Sequence, residues 1–210
     1  MLKDCKTKVV TANADGISQT VQCLKEGKVI CFKTDTIYGF SCDATNEEAC
    51  KRILEIKGRD GKPMILLAKN KEVVLKYVQN VSPKAKLIMS QFWPGALTMI
   101  LPAKDGFSQF VTAGKTTLGF RVPNDDLCQR ILSKLNVPIV STSANISGQP
   151  ILNSATEILQ TFENKFDLLV DCGVCQNSQP STIIDATSED IKVLREGFVD
   201  SKKVLKIVSD

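Results

Sequence analysis

Lys28-Val29-Ile30-Cys31-Phe32-Lys33, with the pattern on either side of it, decides the fold class. Before it, Ile17, Val21 and Leu24 recur at helical spacing, and Gly27 follows as a stop. The run 28–33 is short and apolar, as a buried strand is. After it, Thr34-Asp35-Thr36-Ile37-Tyr38-Gly39 reads as a polar loop. Helix, strand, then polar loop is the unit of α/β proteins, which place binding loops where an apolar run ends.

The same alternation continues down the chain. Asn46 is placed to cap a helix carrying Ala49, Ile53, Leu54 and Ile56, with Gly58 as its end. Residues 63–68 read as a strand, and 72–78 and 83–92 as helices, the second started by Pro83. Trp93-Pro94-Gly95 is a turn, 97–101 and 118–122 are strands, and 125–135 is a helix with Leu127, Ile131 and Leu135 on one face. Strand 138–141 empties into Thr142-Ser143-Ala144-Asn145. A helix at 154–162 and strands at 167–171, 181–185 and 191–194 follow. Strands that follow one another without a helix between them favour a mixed sheet over a purely parallel one. The expectation is one α/β domain spanning 1–210, a mixed sheet flanked by helices.

Composition narrows the chemistry. The chain has 210 residues, 43% apolar and 24% charged, with 27 Lys plus Arg against 23 Asp plus Glu and a net charge of +4. That permits a cationic pocket or a transient RNA contact without demanding either. There is no histidine. A Ser-His-Asp triad, a Cys-His dyad, a His-ligated zinc and an imidazole proton shuttle are thereby excluded. The first residues, Met1-Leu2-Lys3-Asp4-Cys5-Lys6, have no apolar core of a secretory signal, and no apolar run approaches a membrane span. The expected location is cytoplasmic, with no membrane partner and the eight cysteines reduced. Cys172 and Cys175 form a CxxC, but no second close pair completes a zinc set, so no metal site is expected.

Three polar clusters carry the functional reading. Lys57 and Arg59 straddle Gly58 at a helix end. Taken alone, the pair reads as solvated cations favoured by the helix dipole. Lys62 adds a third positive group and turns the reading toward a phosphate site. Ser141, Thr142, Ser143 and Asn145 crowd the end of an apolar strand, where a capped turn and a binding loop serve equally. Arg121 stands between Phe120 and Val122 in a strand that otherwise looks buried. A buried arginine needs an anion, either a substrate carboxylate or a structural aspartate. Ala113-Gly114-Lys115-Thr116 looks like the end of a P-loop, but Gln109 stands where glycine is needed and a strand follows instead of a helix.

Lys57-x-Arg59, Ser143-x-Asn145, Thr34-Asp35-Thr36-x-Tyr38-Gly39, Trp93-Pro94-Gly95 and residues 180–185 (PSTIID) together resemble the YrdC/TsaC family of L-threonylcarbamoyladenylate synthases. The resemblance runs from about residue 15 to 197. It implies a YrdC-like twisted mixed sheet around a large basic cavity, of the short, single-domain type. It implies formation of threonylcarbamoyl-AMP and pyrophosphate from L-threonine, bicarbonate and ATP, used by partner proteins that modify tRNA beside the anticodon. Position by position, Lys57, Arg59, Lys62, Thr117, Ser143, Asn145 and Arg195 match the ATP side, with Lys57 and Arg59 as catalytic residues. Thr36, Arg121, Ser141 and Ser181 match the threonine side. The sequence departs from the family at Lys33, where proline is common, and at Leu67, where some members have histidine.

The chemistry accords with that inventory. A carbamate formed from threonine and bicarbonate attacks the α-phosphorus of ATP, so the nucleophile is a substrate and the protein aligns anions and offsets charge on the leaving pyrophosphate. With few acidic residues in the motifs, Mg²⁺ would be held mainly by phosphate oxygens and water. A non-catalytic RNA-binding module is the alternative from another class, set against modest charge and few aromatics. A same-fold paralogue with a different acyl substrate is another.

Overall fold

The computed structural model describes residues 6–58, 62–176 and 179–208. Its elements begin β1 (Lys8–Thr11), α1 (Ala14–Lys25), β2 (Ile30–Lys33), β3 (Tyr38–Ser41), α2 (Glu47–Lys57) and β4 (Ile65–Leu67). Then come α3 (Lys71–Tyr77), α4 (Pro83–Phe92), β5 (Leu97–Pro102), α5 (Gln109–Thr112), β6 (Thr117–Arg121) and α6 (Asp126–Leu132). The rest are β7 (Ile139–Ser143), α7 (Ala155–Phe162), β8 (Leu168–Asp171), β9 (Thr182–Asp185), β10 (Lys192–Arg195) and α8 (Ser201–Val208).

Local chemistry sets the helix ends. The Asn46 side chain accepts from the Ala49 amide at 3.0 Å and starts α2. Gly58 ends that helix in the left-handed region, φ 56°, which a residue without Cβ enters at little strain. Ser82 caps α4 through the Ala85 amide at 3.1 Å, with Pro83 at the first turn. Asp125 caps α6 through Cys128 at 2.8 Å.

All ten strands join one sheet, in the order β1-β8-β2-β3-β7-β4-β6-β5-β9-β10. It is mixed, as the connections predicted. β8 lies parallel to β1 and β2, β4 to β6, and β5 to β9; the other neighbours are antiparallel.

Because strand side chains alternate between faces, register decides what each face does. Val140, Leu66, Phe120, Met99 and Ile184 stand in one row across β7, β4, β6, β5 and β9. All are buried in the larger core, with Ile53 of α2, Ile88 of α4, Ile158 of α7 and Val204 of α8. On the opposite face, Ile30, Phe32, Leu67, Ile139 and Leu168 pack with Ile17, Val21 and Leu24 of α1 and Ile131 and Leu132 of α6. The rest of that second face carries Gly39, Ser141, Ser143, Gly119 and Arg121, small or polar groups that no core could use, together with half-buried Ile183. This open stretch positions the site.

The structure differs from the sequence reading in places. Tyr38-Gly39 opens strand β3 and is not loop, because Tyr38 and Phe40 are fully buried while Gly39 pairs closely with β7. Thr142 and Ser143 extend β7 beyond the expected end. β1, α5 and α8 had no counterpart in that reading. The expected strand after the P-loop look-alike is β6.

A clamp joins three elements near the sheet edge. Asp167 Oδ2 accepts from the Val29 amide at 2.8 Å and from Arg52 Nη1 of α2 at 2.5 Å. Arg52 Nη2 also donates to the Lys165 carbonyl at 3.0 Å. Asp167→Ala strands the amide of fully buried Val29. We expect a loss of about 1–3 kcal/mol in denaturant unfolding, and a smaller one for Asp167→Asn, which keeps an acceptor oxygen. Stability within about 0.5 kcal/mol of wild type for the alanine variant would mean that the clamp is slack.

Candidate active site

A cavity of about 530 Å³ lies over the open part of the second sheet face. That is within the ordinary range for small-molecule sites. Gly39 and Gly119 form part of its wall. A Cβ on Gly39 would stand 2.9 Å from the Thr142 carbonyl oxygen. One on Gly119 would press Ile100 and Thr98 methyl carbons at 3.2 Å. The absence of both side chains leaves the floor flat and the volume free.

The hairpin loop between β2 and β3 supplies one end. The Thr34 amide donates to the Ile37 carbonyl at 3.1 Å and closes the turn. Thr34 Oγ1 is a hub, accepting from the Thr36 amide at 3.2 Å and lying 2.9 Å from Thr36 Oγ1. Arg121, only 4% exposed, reaches in from β6. Its Nη1 donates to Thr36 Oγ1 at 3.0 Å and its Nη2 to Thr34 Oγ1 at 3.2 Å. Asp35 Oδ1 stands 3.4 Å from the same Nη2, while Oδ2 accepts from the Asn124 amide at 3.1 Å. The structural aspartate that a buried Arg121 demands is therefore Asp35. The guanidinium still borders the cavity.

The other end belongs to β9 and β10. Arg195 donates to the Ser181 carbonyl from Nε at 3.2 Å and from Nη2 at 2.8 Å. The Ser181 hydroxyl lies 2.8 Å from Thr98 Oγ1, so it is fixed from β5. Partial burial, and secondarily the neighbouring charge of Arg121, lower the pKa of Arg195. The two guanidiniums thus feel one another, and Lys62 joins them in the wall. No carboxylate lines the cavity among the described residues. Such a chamber favours anions.

Seven of the sequence-predicted residues meet here: Thr36, Lys62, Arg121, Ser141, Ser143, Ser181 and Arg195. Thr117 shares the strand face of Gly119 and Arg121 but lies a step further along, opposite Pro102, outside the wall. Asn145 and Lys57 sit behind Ser143. The Lys57 ammonium donates to the Ser143 carbonyl, to the Asn145 carbonyl at 2.8 Å and to Asn145 Oδ1 at 3.0 Å. Arg59 lies outside the described residues. Sequence reasoning placed residues 34–39 in a binding loop but gave only Thr36 a role in the site, and it gave none to Gly119 or Thr98. The available signal was alternation: Leu118-Gly119-Phe120-Arg121 places apolar residues on one face and small or charged ones on the other.

The CxxC segment backs the hairpin loop. Cys175 Sγ donates to the Thr36 carbonyl at 3.3 Å. The Tyr38 hydroxyl accepts from the Cys172 amide and donates to the Gly173 carbonyl, both at 2.8 Å. Burial raises the pKa of the Cys172 thiol and the Tyr38 phenol, which favours their neutral, hydrogen-donating forms.

Comparison with known proteins places this geometry. The chain is 31% identical over 188 residues to a Pyrococcus abyssi threonylcarbamoyl-AMP synthase, covering 89% of this chain and 55% of the relative. It therefore spans little more than half the length of that protein. It is 37% identical over 175 residues to a Pseudoalteromonas translucida threonylcarbamoyl-AMP synthase, covering 81% of this chain and 92% of that one. The crystal structure of P. abyssi Sua5 complexed with L-threonine superposes with a TM-score of 0.88 and 29% identity, covering 97% of this chain and 60% of that chain. The Sua5/YciO/YrdC family model, described as "Telomere recombination", matches residues 22–197. With that match over most of its length, the chain belongs to the Sua5/YciO/YrdC family.

Proposed function

We propose that the protein is a threonylcarbamoyl-AMP synthase. The observation that carries this is three cations in the wall of one cavity that no carboxylate lines among the described residues: Arg121, set in the Thr34–Thr36 hydroxyls, Arg195 and Lys62. Two anionic substrates that must react with one another need such a chamber. The threonine complex of the P. abyssi relative supports the same reading.

On this reading Arg121 holds the threonine carboxylate, with Thr36, Ser141 and Ser181 around the amino acid. Lys62, Ser143 and Arg195 face the nucleotide, with Thr117 and Asn145 at its margin, and Arg59 is assigned to it by the sequence resemblance. Bicarbonate and the threonine amine condense to a carbamate, releasing water. The carbamate oxygen then bonds to the α-phosphorus as the bond to the pyrophosphate oxygen breaks. The cations offset the charge that builds on the leaving group. Mg²⁺ would enter on the ATP phosphates, since the wall offers it hydroxyls and carbonyls but no carboxylate. The product passes to tRNA-modifying partner proteins. On the same reading the domain works in the cytoplasm. Among the described residues, no helix is long and apolar enough to cross a membrane.

The test is pyrophosphate release by purified protein with L-threonine, bicarbonate and Mg-ATP, omitting each in turn. Release should require all of them. Release that ignores threonine or bicarbonate would sink the assignment.

A further inference from the structure

Lys57 sits in the last turn of α2, just before the left-handed Gly58, and is 2% exposed. An ammonium has three protons to donate. Here it meets the Ser143 carbonyl, the Asn145 carbonyl and Asn145 Oδ1. The same amide oxygen also accepts from Ser143 Oγ at 2.6 Å. Asn145 Nδ2 donates onward to the Gln149 carbonyl at 2.5 Å, and the Ser147 amide returns to the Lys57 carbonyl at 3.1 Å. Residues 143–149 are thus wrapped around the end of α2, with the Lys57 ammonium at the centre. Of these groups only Ser143 borders the cavity.

We propose that Lys57 is a positioning residue and does not touch the nucleotide: it fixes the end of β7 through Asn145, so that Ser143 is held in the wall at a set depth. The proposal rests on the reading of the cavity as a nucleotide site. Its chemical logic is that each ammonium proton already has an oxygen within hydrogen-bond reach, in a buried place where releasing them would strand three acceptors. The spacing of Lys57 and Arg59 about Gly58 then divides the labour. Lys57 turns inward to hold the scaffold, and the helix ends at Gly58, just before Arg59 in sequence.

Two measurements test this. The first is lysine methylation of the wild-type protein, read by mass spectrometry, with and without Mg-ATP. Lys57 should stay unmodified in both conditions, while exposed Lys62 is methylated and shielded by ATP. The second is a double-mutant cycle on pyrophosphate release with Lys57→Met, Asn145→Ala and both together. Misplacing the wall should lower kcat/KM for ATP on the order of 10²-fold in either single variant. The double variant should lose no more than the worse single one, since both break one unit. Methylation of Lys57 that ATP suppresses, or losses that multiply in the double variant, would overturn the proposal. Lys62 that ATP does not shield would overturn the nucleotide reading beneath it, which separates the two failures. The methylation arm needs no variant, so it decides even if Lys57→Met does not fold.

Discussion

Arg121→Lys should raise the KM for threonine on the order of 10–100-fold while leaving the KM for ATP within a few-fold of wild type, by loss of a bidentate, planar clamp. The geometry sets this split. In the wild type two different nitrogens serve two hydroxyls, Nη1 to Thr36 and Nη2 to Thr34, and Asp35 stands beside Nη2. A lysine keeps the charge beside Asp35 but is a point donor on a flexible stem. It cannot hold both hydroxyls and present a flat edge to a carboxylate at once. The neutral variant Arg121→Met is a poorer probe, because it leaves Asp35 without its ion partner and so mixes stability with binding. Steady-state constants for each substrate, with the others saturating, check the result. Equal movement of both KM values would make Arg121 a structural residue.

Gly197→Ala should be among the most damaging single-methyl changes outside the core. A Cβ there would lie 2.3 Å from the Pro180 carbonyl oxygen and 2.5 Å from both Ser181 C and Thr182 N. All are backbone atoms, so no side chain can swing aside. The contact is close because the chain after β10 is laced to β9. The Phe198 amide donates to the Pro180 carbonyl at 2.9 Å, and Thr182 Oγ1 donates to the Val199 carbonyl at 2.5 Å. The expected loss is about 2–3 kcal/mol. That corresponds to a fall in Tm of roughly 5–10 °C for a domain of this size. The displaced segment contains Ser181 and anchors Arg195, so turnover should fall as well. A Tm within about 1 °C of wild type would show that the two segments part without penalty.

The helix ends were legible in the sequence because their chemistry is local. Asn46 and Gly58, or Ser82 and Pro83, act on neighbours a turn away. The strands of the middle and end were legible from their apolar runs. β1 and β3 were not. Each has four residues, and β3 contains a glycine that reads as a turn until Ser143 of β7 is laid against it. The site was half legible. Arg121 was visible as a charge in an apolar strand. What sequence alone could not reveal was that every second residue of that strand faces an uncovered part of the sheet, or that Asp35 supplies its counter-ion. Lys57 was visible as half of a basic pair. Its spacing says nothing of which way the ammonium turns, and the structure directs it to Ser143 and Asn145.

The pairing of β1 with β8 has a meaning in time as well as in space. Thr7 hydrogen-bonds the Phe166 carbonyl, 159 positions later, and Lys8 stands in register with Leu168. On a ribosome adding residues at 5–20 per second, the first strand waits roughly 8–30 s for its partner to be made. β2 borders the same late strand. The cavity is later still, because its wall runs from Thr34 to Arg195. A nascent chain therefore carries its hairpin loop through nearly the whole of synthesis before there is any chamber for that loop to close.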